Sequence, residues 1–316
     1  NWNTPQTVTV TGVDDNDADG HQDYDISLSA TVVTNETNKA VDFDGTNDYV
    51  VLPSSINSSI SNNITIEGWF YITSMPVHTM LVGESFLGDG KIKFSIWNYD
   101  QNQLGAGFYD GDFYKNTSSM PTSNTWIHIA ATYDQQNIIT YYDGIEVSRT
   151  ANTRTLPNGQ EEWRLGRRWD LSDLLDGAMD EVRIWNVART QSEIQANMNK
   201  ELSGSESGLV AYYKMNEGSG TALTDSSSNS NTGTFTNMSD ANWVASGVSI
   251  STPETVDVAL HNLDDDTDIT VAVSSSDTGE ATVGPANLTF TEDNWQTPKT
   301  VTVTGVNDNN SDGHKA

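Results

Sequence analysis

Across 316 residues, 44 Asp and Glu oppose 15 Lys and Arg, and the formal charge of -29 repels nucleic acid and anionic membranes while favouring divalent cations. The absence of Cys rules out disulfides, thiolate metal sites and cysteine nucleophiles, and no apolar run is long enough to span a bilayer and insert directly in a membrane. What remains is a chain with 35% hydrophobic residues, nine Trp and 11 Tyr, enough for real cores, whose excess carboxylates point to Ca2+ as the neutralising ion in an extracellular setting.

Residues 1–35 open with a strand, TVTVT at 7–11, and hold a second, YDISLSA at 24–30. Val8 and Val10, then Tyr24, Ile26 and Leu28, recur at period two. The loop between them, DDNDADG at 14–20, sets Asp15, Asp17 and Asp19 at alternate positions before Gly20. That spacing matches the opening of an EF-hand loop, yet the distal Glu and the flanking helices are missing, so the loop reads as a Ca2+ site between β-modules.

Residues 36–246 change character and hold most of the aromatic and basic residues. In VDFDGTNDYV at 41–50, Asp42 and Asp44 share one side of a strand, Gly45 permits a tight turn, and Asn47 and Asp48 follow, an oxygen-rich half-site for Ca2+. Three aromatic runs come next. KFSIWNYDQNQ carries Trp97 and Tyr99 on one face, GFYDGDFYKN carries Asp110 and Asp112 between tyrosines, and EEWRLGRRWDLSD carries Trp163, Arg167, Arg168, Trp169 and Asp170. Aromatic faces stack on the C–H surfaces of sugars while carboxylates and guanidinium groups hold hydroxyls or acidic substituents, so these runs are the candidate ligand site, although at least one of the aromatics belongs in a core. One helix is legible: TQSE offers a capping box with Thr190 as cap and Glu193 three residues on, followed by Ile194, Met198 and Leu202 on a face. Short alternating strands with a single helix indicate an all-β, two-sheet jelly roll.

Residues 247–316 return to strands punctuated by Asp, Asn, Pro and Gly, the pattern of an immunoglobulin-like β-sandwich. The acidic turn LDDDTD at 263–268 is equally suited to solvent or to an ion. NWQTPKTVTVTGVNDNNSDGH at 294–314 then repeats residues 1–21, with sixteen of 21 positions identical. Asp308 and Asp312 repeat Asp15 and Asp19, while Asn310 replaces one carboxylate with an amide. Repetition of that length points to a tandem array of modules, so neighbouring repeat modules of the same chain are expected partners. Two organisations fit: the flanks 1–35 and 247–316 complete one another as a split domain, or they are two truncated neighbours. Targeting information is expected outside residues 1–316.

The segments VDFDGTNDYV at 41–50, ITIEGWFY at 64–71, WIHIAATYD at 126–134, YYDGIEV at 141–147, LDGAMDEVRIWNVARTQSEI at 175–194 and YYKMNEGSGTALTDSSSNSNTG at 212–233 together resemble the laminin-G-like or concanavalin-A-like jelly-roll family, with its pentraxin relatives. The resemblance covers nearly all of the middle. It implies a hairpin turn at Asp143 and Gly144, a second half of the Ca2+ site supplied by Asp180, and a ligand face in the rim loops or on the concave sheet. The flanks resemble extender repeats of very large bacterial surface adhesins, which implies a secreted protein on the cell's outer face.

Some jelly rolls of this kind hydrolyse glycosides with Glu-x-Asp-x-x-Glu on one strand, and no such run occurs here. Adjacent Glu161 and Glu162, like Asp180 and Glu181, point to opposite faces of a strand. The five His residues have neither metal nor triad spacing, and His128 reads as a strand residue. The expectation is therefore a binding module and not an enzyme: a Ca2+-dependent receptor for glycans or cell-surface glycoconjugates, with a protein or peptide ligand, or a spacer role, as the other readings.

Overall fold

The computed structural model describes residues 6–11, 38–85, 90–100, 102–168, 174–250, 254–261, 269–274, 281–291, 297 and 299–305. The chain is all-β and divides into two compact units, Thr37–Ile250, and Asn1–Glu36 together with Ser251–Ala316. No helix among the described residues is long and apolar enough to cross a membrane.

The unit Thr37–Ile250 is a sandwich of two antiparallel sheets. The first orders Ile145–Ala151, Asn137–Tyr142, Trp126–Tyr133, Ile64–Ser74, Asp176–Trp185, Lys39–Asp44 and Trp243–Ala245, with Leu209–Tyr213 also pairing to Asp176–Trp185. The second orders Ala222–Leu223, Gly233–Thr236, Tyr49–Leu52, Trp163–Leu165, Met80–Glu84, Lys91–Asp100, Gln103–Asp110 and Phe113–Ser119. Period-two alternation drives the packing. Val41 and Phe43 turn inward from one sheet, Phe94 and Ile96 from the other, and they close one continuous core with Ile66, Phe70, Trp163 and Val182. The hairpin at Asp143 and Gly144 forms as expected, with φ of +47° and +70°, the conformation of a two-residue turn that matches strand twist.

The outer face of the first sheet is covered too. The helix Gln191–Asn197 begins with the expected capping box: Thr190 Oγ1 accepts from the Glu193 amide and Glu193 Oε2 accepts from the Thr190 amide at 2.7 Å. Ile194 then packs on Ala130, Ile139 and Tyr141. The helix ends before Met198, so Leu202 reaches its burial with Trp185, Leu209 and Tyr212 by way of the following loop and not along a helical face. A short helix, Ser55–Ser59, has no periodic signature in the sequence. Lys93 caps it, donating to the carbonyls of Asn57 at 2.8 Å and Ile60 at 2.7 Å, where a cation meets the negative end of the helix.

In the other unit, a four-stranded sheet orders Gln6–Thr11, Glu254–His261, Lys299–Gly305 and Ala281–Gly284, beside a two-stranded sheet of Ile269–Ala272 and Asn287–Phe290. Segments of both flanks thus share one sheet. Val271, Leu288, Phe290 and Val301 are buried. The strand expected at 24–30 lies outside the described residues.

Candidate functional site

The outer face of the second sheet carries an open aromatic cleft. Ser95, Trp97 and Tyr99 alternate outward along Lys91–Asp100 while Phe94 and Ile96 enter the core, and a register shift between Ile92 and Ser95 brings Ile92 to the outer side as well. With His78, Met80, Phe113 and Arg168 they line a cleft of about 80 Å³. Trp97 forms its floor, only 7% exposed, and the rims are open, with Tyr99 at 36% and Phe113 at 39%. The ring centroids of Trp97 and Phe113 are 5.7 Å apart, and those of Tyr109 and Phe113 are 4.7 Å apart. The ammonium of Lys115 lies 4.4 Å from the centre of the Tyr99 ring, and Arg168 supplies a second cation. A shallow aromatic surface edged by positive charge in a strongly acidic chain suits one face of a sugar ring with polar or anionic substituents.

This cleft gathers Trp97, Tyr99 and Arg168 from the sequence candidates and adds His78 and Phe113, which sequence reasoning missed. Phe113 had one signal, its place among the aromatics of GFYDGDFYKN. His78 had none, since its contribution depends on the loop whose amide donates to the Asn98 carbonyl at 2.7 Å. Two candidates are corrected. Trp163 is fully buried and donates from Nε1 to Asn57 Oδ1 at 2.8 Å, so it belongs to the core. Arg167 is 5% exposed and lies 4.3 Å from the centre of the Tyr49 ring, a packing cation and not a ligand-facing one. Asp110 and Asp112 are exposed at the hairpin bend; Asp110 pairs with Lys91 at 3.6 Å and Asp112 accepts from the Phe113 amide. Trp169 and Asp170 lie outside the described residues.

The acidic turn bends at Gly45, with φ of +70°, but the residue brought beside it is not the expected one. Asp44 Oδ1 accepts from the Thr46 amide at 2.8 Å, and Asp48 Oδ2 accepts from Asn242 at 2.7 Å and from the Asp44 amide at 3.3 Å. The residue across from Asp44 is Asp176, and Asp42 faces Ala178. Burial raises Asp42, and the charges of Asp176, Asp48 and Asp44 raise it further. Asp180 does not join them. The register carries it one step past the Met179–Val41 pair, toward the other end of the strand, where its Oδ2 accepts from Asn38 and Ser246, each at 2.7 Å. Among the described residues no three Asp, Glu or His side chains are grouped so that they could hold a metal ion. Asp15, Asp17, Asp19, Asp308 and Asp312 lie outside the described residues, as does the turn at 263–268.

A further set of buried charges lies in the first sheet and includes Glu67, Asp180, Glu181 and Arg183. Arg183, fully enclosed, donates to the carbonyls of Asn197 at 2.9 Å and Lys200 at 2.6 Å and pairs with Glu181 at 2.5 Å; Tyr212 also donates to Glu181 at 2.6 Å. Glu67 accepts from Trp185 Nε1 at 2.8 Å and lies 3.8 Å from His128. Burial and the Arg183 guanidinium push His128 down to about 3, while burial raises Glu67, Asp180 and Glu181. All of these side chains are sealed from solvent, which leaves them no access to a substrate.

Residues 44–195 match the sequence model of the concanavalin A-like lectin/glucanases superfamily. That span, just under half of the chain, is similar to this superfamily. No curated protein shows significant sequence similarity to the chain. Among solved structures, a candidate carbohydrate-binding protein from Bacteroides ovatus matches at a TM-score of 0.53 and 23% identity, over 68% of this chain and 62% of the other, so the chain spans less than two thirds of that protein's length. Domain 4 of the extracellular arabinanase AbnA from Geobacillus stearothermophilus, in complex with arabinotriose, matches at 0.37 and 22% identity over 44% of this chain and 68% of its own. The carbohydrate-binding module of a Ruminococcus gnavus sialidase, bound to α2,3-sialyllactose, matches at 0.43 and 12% identity over 52% of this chain and 99% of its own. Of these three, the first alone exceeds a TM-score of 0.5, and at its identity it speaks to the fold alone.

Proposed function

We propose that the lectin-like domain binds glycans by stacking a sugar ring on the cleft formed by Trp97, Tyr99 and Phe113, with Arg168 holding a polar or carboxylate substituent. The observation that carries this reading is the exposure of Tyr99 and Phe113 beside a nearly buried indole on the open face of a sheet. Exposed aromatics clustered in this way are costly in water unless a ligand covers them. The carbohydrate-binding description of the Bacteroides ovatus protein accords with it. The repeated 21-residue flank and the acidic loops support presentation by a Ca2+-stiffened array on a bacterial surface adhesin, outside the cell. The test is a broad glycan-array screen in millimolar Ca2+ with a parallel chelated sample, using the parent chain and the Tyr99→Ala and Phe113→Ala variants. Binding that both substitutions abolish, with melting temperature unchanged, supports the site. Glycan binding indifferent to both substitutions overturns it, and silence of the folded parent chain moves the weight to a protein or peptide ligand. Binding lost on chelation supports the Ca2+ dependence.

A further inference from the structure

The strand Glu254–His261 has neighbours of nearly identical sequence on its two sides. Lys299–Gly305 reads KTVTVTG and pairs antiparallel, with Glu254 facing Val303, Thr255 facing Thr302 and Val256 facing Val301. Gln6–Thr11 reads QTVTVT and pairs parallel, with Gln6 facing Val256, Val8 facing Val258 and Thr9 facing Ala259. From residues 4 to 12 and 297 to 305 the copies differ only at Gln6 and Lys299.

One sequence therefore occupies two unlike slots. The antiparallel slot places Val301 in a fully buried position, and Val8 is its counterpart in the amino-terminal copy. Laid into that slot, the copy would set Val8 against Val256, Thr9 against Thr255 and Val10 against Glu254, so every residue of the register is the same except the one facing Val258, where Gln6 replaces Lys299. Antiparallel pairing is also the more stable of the two per residue. The slot's own strand has two advantages: it is tethered to its partner, which raises its effective concentration, and Lys299 lies 5.4 Å from the centre of the Phe290 ring, a cation–π contact for which a Gln carries no charge.

We propose that a second copy of this chain donates its Gln6–Thr11 strand to the antiparallel slot beside Glu254–His261, displacing Lys299–Gly305 and linking copies through their flanking units. The donor and acceptor surfaces differ, so the link is heterologous and can extend into a row. Strand exchange of this kind uses backbone groups already matched to the slot, and register follows from the alternation of Val and Thr.

The absence of Cys makes the test direct. Chains bearing Thr9→Cys and chains bearing Thr255→Cys, distinguished by mass, are mixed in equal amounts, unfolded together, refolded at high concentration and oxidised. Directly opposed residues in an antiparallel pair lie about 4.5–5.5 Å apart at Cα, within disulfide reach. In the parallel register Thr9 faces Ala259, roughly 13 Å along the strand from Thr255 and out of reach. Exchange yields the mixed disulfide dimer well above the statistical two-to-one excess over each like-with-like dimer, and adding Gln6→Lys to the donor raises it further. A statistical distribution, no crosslink, or a mixed dimer that forms only with Ala259→Cys in place of Thr255→Cys overturns the proposal.

Discussion

Gly105 stands directly across the strand pair from Trp97, and a Cβ at that position would lie 3.2 Å from two carbons of the indole. The missing side chain lets the ring spread over the neighbouring strand and form the floor of the aromatic cleft. Gly105→Leu should tip the indole and weaken glycan binding by about tenfold, equivalent to about 1.4 kcal/mol. Titration calorimetry measures this, and the melting temperature should fall less than in Trp97→Ala, which opens a cavity.

Arg183 fastens the helix Gln191–Asn197 to the first sheet through the carbonyls of Asn197 and Lys200. Arg183→Met leaves Glu181 buried without its cation and frees both carbonyls. Removal of one partner from a buried pair costs about 3–5 kcal/mol, and urea unfolding should show a loss of that size. Replacing Arg183 and Glu181 together by apolar residues should recover part of it.

His128 supplies a pH dependence with a definite sign. Its ordinary value of 6.5 falls to about 3 in the folded chain, so between these limits the unfolded chain binds a proton that the folded chain refuses. Stability should fall as the pH drops through that window, by about 1.4 kcal/mol per unit. The raised carboxyls of Glu67, Asp180 and Glu181 act oppositely, stabilising at low pH and losing that contribution as pH rises through their elevated values. Comparison with His128→Gln separates the two: the drop in unfolding free energy from pH 7 to pH 5 should be about 2 kcal/mol smaller in the variant.

Asp176 and Asp44 face one another at the acidic turn, and Asp176 is the largest charge raising Asp42 after burial. A raised carboxyl penalises folding once the pH climbs above its ordinary 3.8. Asp176→Asn should therefore lower the Asp42 titration seen by NMR and stabilise the chelated protein at pH 7 by up to about 1 kcal/mol, with no effect at pH 2. The same variant tests whether the turn takes Ca2+: a gain in chelator that becomes a loss in millimolar Ca2+ means that the carboxylates hold an ion together.

The sequence alone determined much of the local structure, though not the short helix Ser55–Ser59. Alternation of apolar residues marked the strands and TQSE marked the helix start at Thr190, because each depends on residues a few positions apart, while the hairpin turn at Asp143 and Gly144 followed from the family resemblance. It also separated an aromatic middle from two repetitive flanks. Tertiary structure decided which of the candidate side chains meet. Trp97 and Trp163 look alike in sequence, yet one floors an open cleft and the other fills the core, because a strand's outward face depends on what packs against it. The shift between Ile92 and Ser95 turns a residue from one face to the other, and the register of Asp176–Trp185 against Lys39–Asp44 brings Asp176, not Asp180, to Asp44. Register between strands distant in the chain is set by how the whole sandwich closes, so a slip of one residue that no local pattern encodes reassigns every side chain along a strand.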